Sequence, residues 1–186
     1  LNYKKQTNEK KKVEALLAYG DELSQYNIDS ALACGSLAIN IGKKLRDTSV
    51  IGQGYILYGY SALAKADYKS ALQSFLLAHD LFKKSNNKGK LAQCYTAIGI
   101  VYWYQGFTEK AVYYYKKNIA ISLEIRDDNG LAASYGNLAI IFDENKDFEN
   151  ALLYYNNALI IFEKKNKMNE MAACLDNMSL VYKQQK

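Results

Sequence analysis

Residues 91–130 read LAQCYTAIGI VYWYQGFTEK AVYYYKKNIA ISLEIRDDNG, and residues 131–170 read LAASYGNLAI IFDENKDFEN ALLYYNNALI IFEKKNKMNE. Laid over each other, the two stretches hold matching residue types at matching places: Leu91 falls on Leu131, Tyr95 on Tyr135, Ala111 on Ala151, Tyr115 on Tyr155 and Ile121 on Ile161. The register runs backwards through the chain. Ala31 and Ala71 precede Ala111 in steps of 40, Ile41 and Leu81 precede Ile121, and Phe75 precedes Tyr115. Small residues recur as Gly59, Gly99, Ala139 and Ser179. Chance does not keep so many columns in phase, so the chain is a tandem array whose unit is the step from Ala71 to Ala111.

Each unit reads as two helices. Leu91, Cys94, Tyr95, Ile98, Gly99 and Tyr102 form a stripe at the i, i+3, i+4, i+7 spacing of a helix face. A short polar break at 105–106 precedes a second helix over about 108–126, with equivalent breaks near 25–27, 65–67 and 145–147. Longer joints are expected between units, at 47–48, 85–89, 127–130 and 166–169, all of them rich in turn and capping residues. With no proline in the chain, Gly and Asn are left to stop the helices. The expectation is therefore an all-α, single-domain chain of about four helix-turn-helix units (12–50, 51–90, 91–130 and 131–170) and a half unit over 171–186. Met171 to Tyr182 copies a first helix without its partner, and the chain opens on Leu1, so a fragment of a longer protein is expected.

Composition agrees with a packed domain. The 186 residues are 49% apolar and 23% charged, which sets disorder aside. No apolar run reaches the roughly 18 residues of a membrane span, and no signal segment opens the sequence. The formal charge of +5 is concentrated in the first dozen residues, where Lys4, Lys5, Lys10, Lys11 and Lys12 stand against Glu9. A nucleic-acid groove needs a continuous basic stripe instead, so nucleic acid is not expected as a partner.

The pattern Tyr95-x2-Ile98-Gly99-x2-Tyr102 with Ala111-x3-Tyr115, repeated as Tyr135-x2-Leu138-Ala139-x2-Phe142 with Ala151-x3-Tyr155, resembles the tetratricopeptide repeat (TPR). Tyr55, Tyr58 and Gly59 with Ala71 and Phe75 match less fully, because Ala62 stands where the last aromatic belongs. The resemblance implies a right-handed α-α superhelix over residues 12 to 186. Small residues let paired helices approach, and aromatics fill the volume beside them. The sequence departs from the family pattern in three ways. The first unit has Tyr19 and Gly35 where a small residue and an aromatic belong, as suits a cap. The terminal proline is missing, and a period above the usual roughly 34 residues implies longer second helices. This long form is similar to the repeats of bacterial signalling proteins with kinase, cyclase or DNA-binding outputs, of kinesin light chains and of quorum-sensing peptide receptors.

Catalytic constellations are missing from the sequence. His79 occupies a column filled otherwise by Ile39, Ile119 and Leu159 and is expected to be packed. Cys34, Cys94 and Cys174 lack metal-ligand spacing, Cys94 and Cys174 share a column two units apart and lie too far apart to bridge, and all three are expected as buried thiols. Asp143 and Glu144, like Asp127 and Asp128, are sequence neighbours that face different sides of a helix. There is no glycine-rich phosphate loop, and the Asn177-Met178-Ser179 sequon lies inside a helix. No enzyme activity, cofactor or metal is expected.

The TPR resemblance implies a concave face lined by the first helices, and the residues beside their packing stripe are the candidate groove. These are Tyr60, with Gln53 and Ile56, from the second unit, and Gln93, Thr96, Ile100, Trp103 and Tyr104 from the third. Asn137, Ile140, Asp143 and Glu144, with Gly136, come from the fourth, and Asp176 and Asn177, with Lys183, from the half unit. Ile100, Trp103 and Tyr104 have a second reading, as packing between neighbouring helices. Asn137 and Asn177 share a column and resemble the groove asparagines that hold a peptide backbone in long-form TPR proteins; their other reading is as ordinary surface residues. The lysine and asparagine set of the carboxylate-clamp class is not found.

The expected function is a non-catalytic module that binds a protein or peptide segment, as sensor or docking part of a bacterial signal-transduction protein. The alternative is a structural or oligomerisation scaffold, with self-association through the C-terminal half repeat. Similarity to sensor arrays that follow a cleaved signal peptide favours the extracytoplasmic side, while three unpaired cysteines favour the cytoplasm. On balance the extracytoplasmic (periplasmic) side is favoured over the cytoplasm by a small margin.

Overall fold

The structure is a computed structural model that describes residues 2–185, with side chains from residue 8 onward; Lys4 and Lys5 of the basic segment fall outside that part. Within it the chain runs through α1 (Asn2–Leu23), α2 (Ile28–Leu45), α3 (Thr48–Ala64), α4 (Tyr68–Lys84), α5 (Lys88–Tyr104), α6 (Thr108–Ile125), α7 (Asp128–Glu144), α8 (Phe148–Lys164) and α9 (Met168–Gln184). Consecutive helices pack on each other, and the pairs stack as a right-handed α-α solenoid of four helix pairs and one further helix. Among the described residues no helix is long and apolar enough to cross a membrane.

The turns carry a repeat of their own. Arg46, Ala66, Asn86, Gly106, Arg126, Lys146 and Asn166, evenly spaced at two per unit, all have φ between 52° and 78°. After each, the next backbone N–H reaches back five residues and closes the helix, as Asp47 N–H to Gly42 O at 2.9 Å and Asp127 N–H to Ser122 O at 2.8 Å. That same residue opens the next helix. Asp47, Asp67, Asn87, Asp127 and Asp147 each accept a backbone N–H of the following turn, while Phe107 and Lys167 cap without a side-chain bond.

Four expectations are corrected here. Joints between units are no longer than the breaks within them, because the same capped turn makes both. The second helices are not lengthened: first and second helices alike have 17 or 18 residues from α2 onward, so the long period is shared between them. Gly and Asn are not the general stops, since Arg46, Ala66, Arg126 and Lys146 take the left-handed turn too. Helices α3, α5, α7 and α9 also begin three residues ahead of the expected unit starts, because the capping column sits one turn before the apolar stripe.

Packing follows the columns. Ala31, Ala71, Ala111 and Ala151 are wholly buried, as are Phe75 and Tyr115. A Cβ on Gly59 would come within 2.6 Å of the Phe75 ring, and one on Gly99 within 2.7 Å of the Tyr115 ring. The aromatic therefore packs directly against bare backbone, and each such buried ring contributes about 1.5–3 kcal/mol. In the first pair Tyr19 turns outward, 57% exposed, and Gly35 lets α2 touch the α3 backbone at Tyr58.

Candidate functional site: a groove along the first helices

The side chains that flank the packing stripe of α3, α5, α7 and α9 fall into two groups. Tyr60, Gln93 and Thr96 line one cavity of about 540 Å³ between α3, α5 and α7, together with Lys90, Asn118, Asn129 and the α7 cap Asp127. A smaller depression of about 100 Å³ continues from it past Tyr60 and Lys90 to Asp21. Tyr60 leans edge-on against Phe75, with ring centroids 5.0 Å apart. Burial pushes its phenol up to about 12, with Cys94 and Asp21 adding to the shift. Burial also raises the Asp21 carboxyl, against the pull of Lys90.

The second group is aromatic and acidic. Trp103 is half-buried, and its indole N–H donates to Glu144 Oε2 at 3.0 Å, tying the end of α5 to the end of α7. Tyr104 beside it is 56% exposed and stacks on Tyr68 at 6.0 Å. Asp143 is half-buried, and its Oδ1 has no hydrogen-bond partner among the described residues. Burial pushes the Tyr155 phenol up to about 12, with Asp143, Cys174 and Glu144 adding to the shift.

The aromatic set divides between packing and exposure. Ile100 and Trp103 pack against the α6–α7 core while staying partly open, and Tyr104 is a surface residue. Ile140 is half-buried against the α8–α9 cluster. Asn137 and Asn177 are half-buried and make no side-chain hydrogen bond among the described residues, and Asp176 is exposed. Ile56, read as a groove residue, is 7% exposed and belongs to the core.

Outside the groove, His79 is packed as expected, its ring 5.3 Å from Tyr95 and its Nδ1 3.0 Å from Asp80. The three cysteines are buried and unpaired, and burial pushes the Cys94 thiol up to about 12. Among the described residues no three His, Cys, Asp or Glu side chains gather as a metal site would require.

No protein-family model matches the sequence, and no curated protein matches it. Solved structures do. Aspartyl phosphate phosphatase F from Bacillus subtilis superposes with a TM-score of 0.84 at 17% identity over 92% of this chain. A signal transduction ATPase with numerous domains, with a tetratricopeptide repeat sensor, from Pyrococcus horikoshii gives 0.79 at 20% identity over 94%. A Rap protein complexed with competence and sporulation factor gives 0.64 at 19% identity over 92%. The fold is that of the tetratricopeptide repeat. This chain spans 45%, 27% and 52% of the lengths of those three proteins, so the TPR solenoid is the part they share with it.

Within this TPR solenoid, sequence reasoning passed over Asn118, Lys90 and Asn129. Asn118 is 1% exposed, in a column of alanines, Ala38, Ala78 and Ala158. Its Nδ2 donates to Ala92 O and to Thr96 Oγ1, each at 2.7 Å, and its Oδ1 accepts from Ser122 Oγ at 2.9 Å. The signal was present as an exception within a repeating column.

Proposed function

We propose that this chain is a non-catalytic binding module whose groove along α3, α5, α7 and α9 holds an extended protein or peptide segment, as the sensor or docking part of a signal-transduction protein. The observation that carries the reading is the half-open Trp103, braced by Glu144, on the same helix as Gln93 and Thr96, which line a cavity walled chiefly by neutral polar side chains. An aromatic anchor beside hydrogen-bonding groups is what recognition of an extended chain requires. The repeats of one structural neighbour are described as a sensor, and another was solved with a bound factor, which supports the reading through fold analogy. Random peptides displayed on phage and selected on the protein test it. Selected peptides should shift the Trp103 emission and bind Trp103→Ala and Asn137→Ala more weakly, with Lys84→Ala, on exposed α4 surface, unchanged. Failure to select any peptide, or loss only with Lys84→Ala, overturns it.

The second reading, a self-associating scaffold, is favoured by α9. Leu175, Leu180 and Tyr182 are each at least half exposed, and Leu175, Met178 and Tyr182 line a depression of about 330 Å³. An apolar face of this kind is one that a second copy of the chain covers. Light scattering of the isolated protein, with and without Leu175→Glu, tests it: a dimer that the substitution dissolves supports it, and a monomer refutes it.

A further inference from the structure

The repeats give the cavity beside Asn118 an internal control. In the second unit Ala78 is wholly buried, and the Phe82 ring lies so close over Gly52 that a Cβ there would be 2.5 Å from its Cζ. The third unit has Ala92, Asn118 and Ser122 at those three places. A cavity of about 540 Å³ lies beside Asn118 there, within the size range of ligand pockets. The substitutions are coordinated. The Asn118 amide bonds to Ala92 O, Thr96 Oγ1 and Ser122 Oγ, so the buried polar group is satisfied and forms one wall of the cavity. A chain that keeps the buried alanines Ala38, Ala78 and Ala158 in one column, and in a single unit replaces the alanine with a bonded amide, departs from its own packing rule in the way functional sites do.

The lining fixes the chemistry of the occupant. Lys90 and Asp127 are its charged members and offset each other, and Asp127 is already engaged by the Asn129 N–H at the α7 cap. The rest are amides and hydroxyls, chiefly Tyr60, Gln93, Thr96 and Asn129. Walls that both donate and accept are matched by a group that does the same. A carboxylate brings no donor, and an ammonium brings no acceptor.

We propose that this cavity is a subsite for a neutral carboxamide, the side chain of an asparagine or glutamine carried by the segment in the groove, an assignment that rests on the groove reading above. The segment runs from this subsite along α5 toward Trp103.

The test is a two-dimensional NMR titration of the labelled chain with N-acetylglutamine N-methylamide, and in parallel with the corresponding glutamate compound. The glutamine compound should give saturable shifts at Gln93, Asn118 and Gly130, and the glutamate compound should bind about tenfold more weakly, because a polar site rejects a group that leaves its partners unpaired. The variant Asn118→Ala restores the alanine that Ala38, Ala78 and Ala158 keep in this column. It should lose the shifts while melting no lower than the parent. Should it melt lower, Gln93→Leu, which changes one wall residue, gives the same reading. Equal binding of the two compounds, or shifts that persist in these variants, overturns the subsite. Peptides that still bind through Trp103 without preferring an amide would overturn this subsite alone and leave the groove standing. A chain that binds neither peptide nor capped glutamine loses both.

Discussion

The indole N–H of Trp103, at the end of α5, donates to Glu144 Oε2, at the end of α7, at 3.0 Å. The bond links successive units and ties the one tryptophan of the chain to α7. Glu144→Ala should therefore change the Trp103 emission of the free protein and cost about 0.5–1 kcal/mol of stability. Glu144→Gln, which keeps an acceptor, should do neither to a comparable degree. Fluorescence and thermal melts of both variants check this; an emission unaltered by Glu144→Ala would mean that the brace is not formed in solution.

Helix pairing depends on the alanine column. Ala71, Ala111 and Ala151 are wholly buried, so each replaced by Leu should cost about 1–3 kcal/mol through overpacking. Denaturant unfolding of the three variants measures it, and unchanged midpoints would contradict the packing described.

The left-handed turns give a prediction of opposite sign. Ala66 and Lys146 have φ of 57° and 60°, where a Cβ costs about 1 kcal/mol that glycine avoids. Ala66→Gly and Lys146→Gly should raise the melting temperature, and Gly106→Ala, at φ 78°, should lower it. The paired melts decide the matter, because propensity alone would reverse both signs.

This is the part of the fold that the sequence hides. The repeat of whole units was legible because side-chain columns such as Ala71, Ala111 and Ala151 must be kept for two helices to meet. The recurrence twice in each unit is a property of the backbone, satisfied equally by Arg46, Ala66 and Gly106, and no residue type announces it. Partly open positions on the first helices were legible from their place beside the stripe, with Ile56 the exception, because the neighbouring helix covers it. Asn118 was missed for a different reason. Periodic reading rewards what the units share, and Asn118 matters because it breaks the column of Ala38, Ala78 and Ala158.

Acid should unlock the α2–α3 turn. Burial alone would raise the Asp47 carboxyl, but the N–H groups of Val50 and Ser49 and the Lys10 ammonium outweigh it and hold it below the ordinary carboxylate range. A lowered folded-state pKa gives stability that is fully present above the unfolded value of about 3.9 and lost as pH falls through the folded value. Asp47→Asn keeps a capping oxygen and removes the titration. Its melting temperature should start lower at neutral pH and fall less steeply between about pH 4 and about pH 2 than that of the parent. Parallel curves would show that Asp47 has no part in the acid response.

The central claim is that the face lined by α3, α5 and α7 is where a partner segment lies. It is tested most directly by mapping a phage-selected peptide onto the isotope-labelled chain through amide chemical shifts. The account predicts that the perturbed residues include Gln93, Thr96, Trp103 and Asn137, in a continuous track across the three first helices. Shifts confined to the exposed side of the second helices, around Lys84, Lys116 and Lys117, would place the partner on the opposite surface and contradict the account.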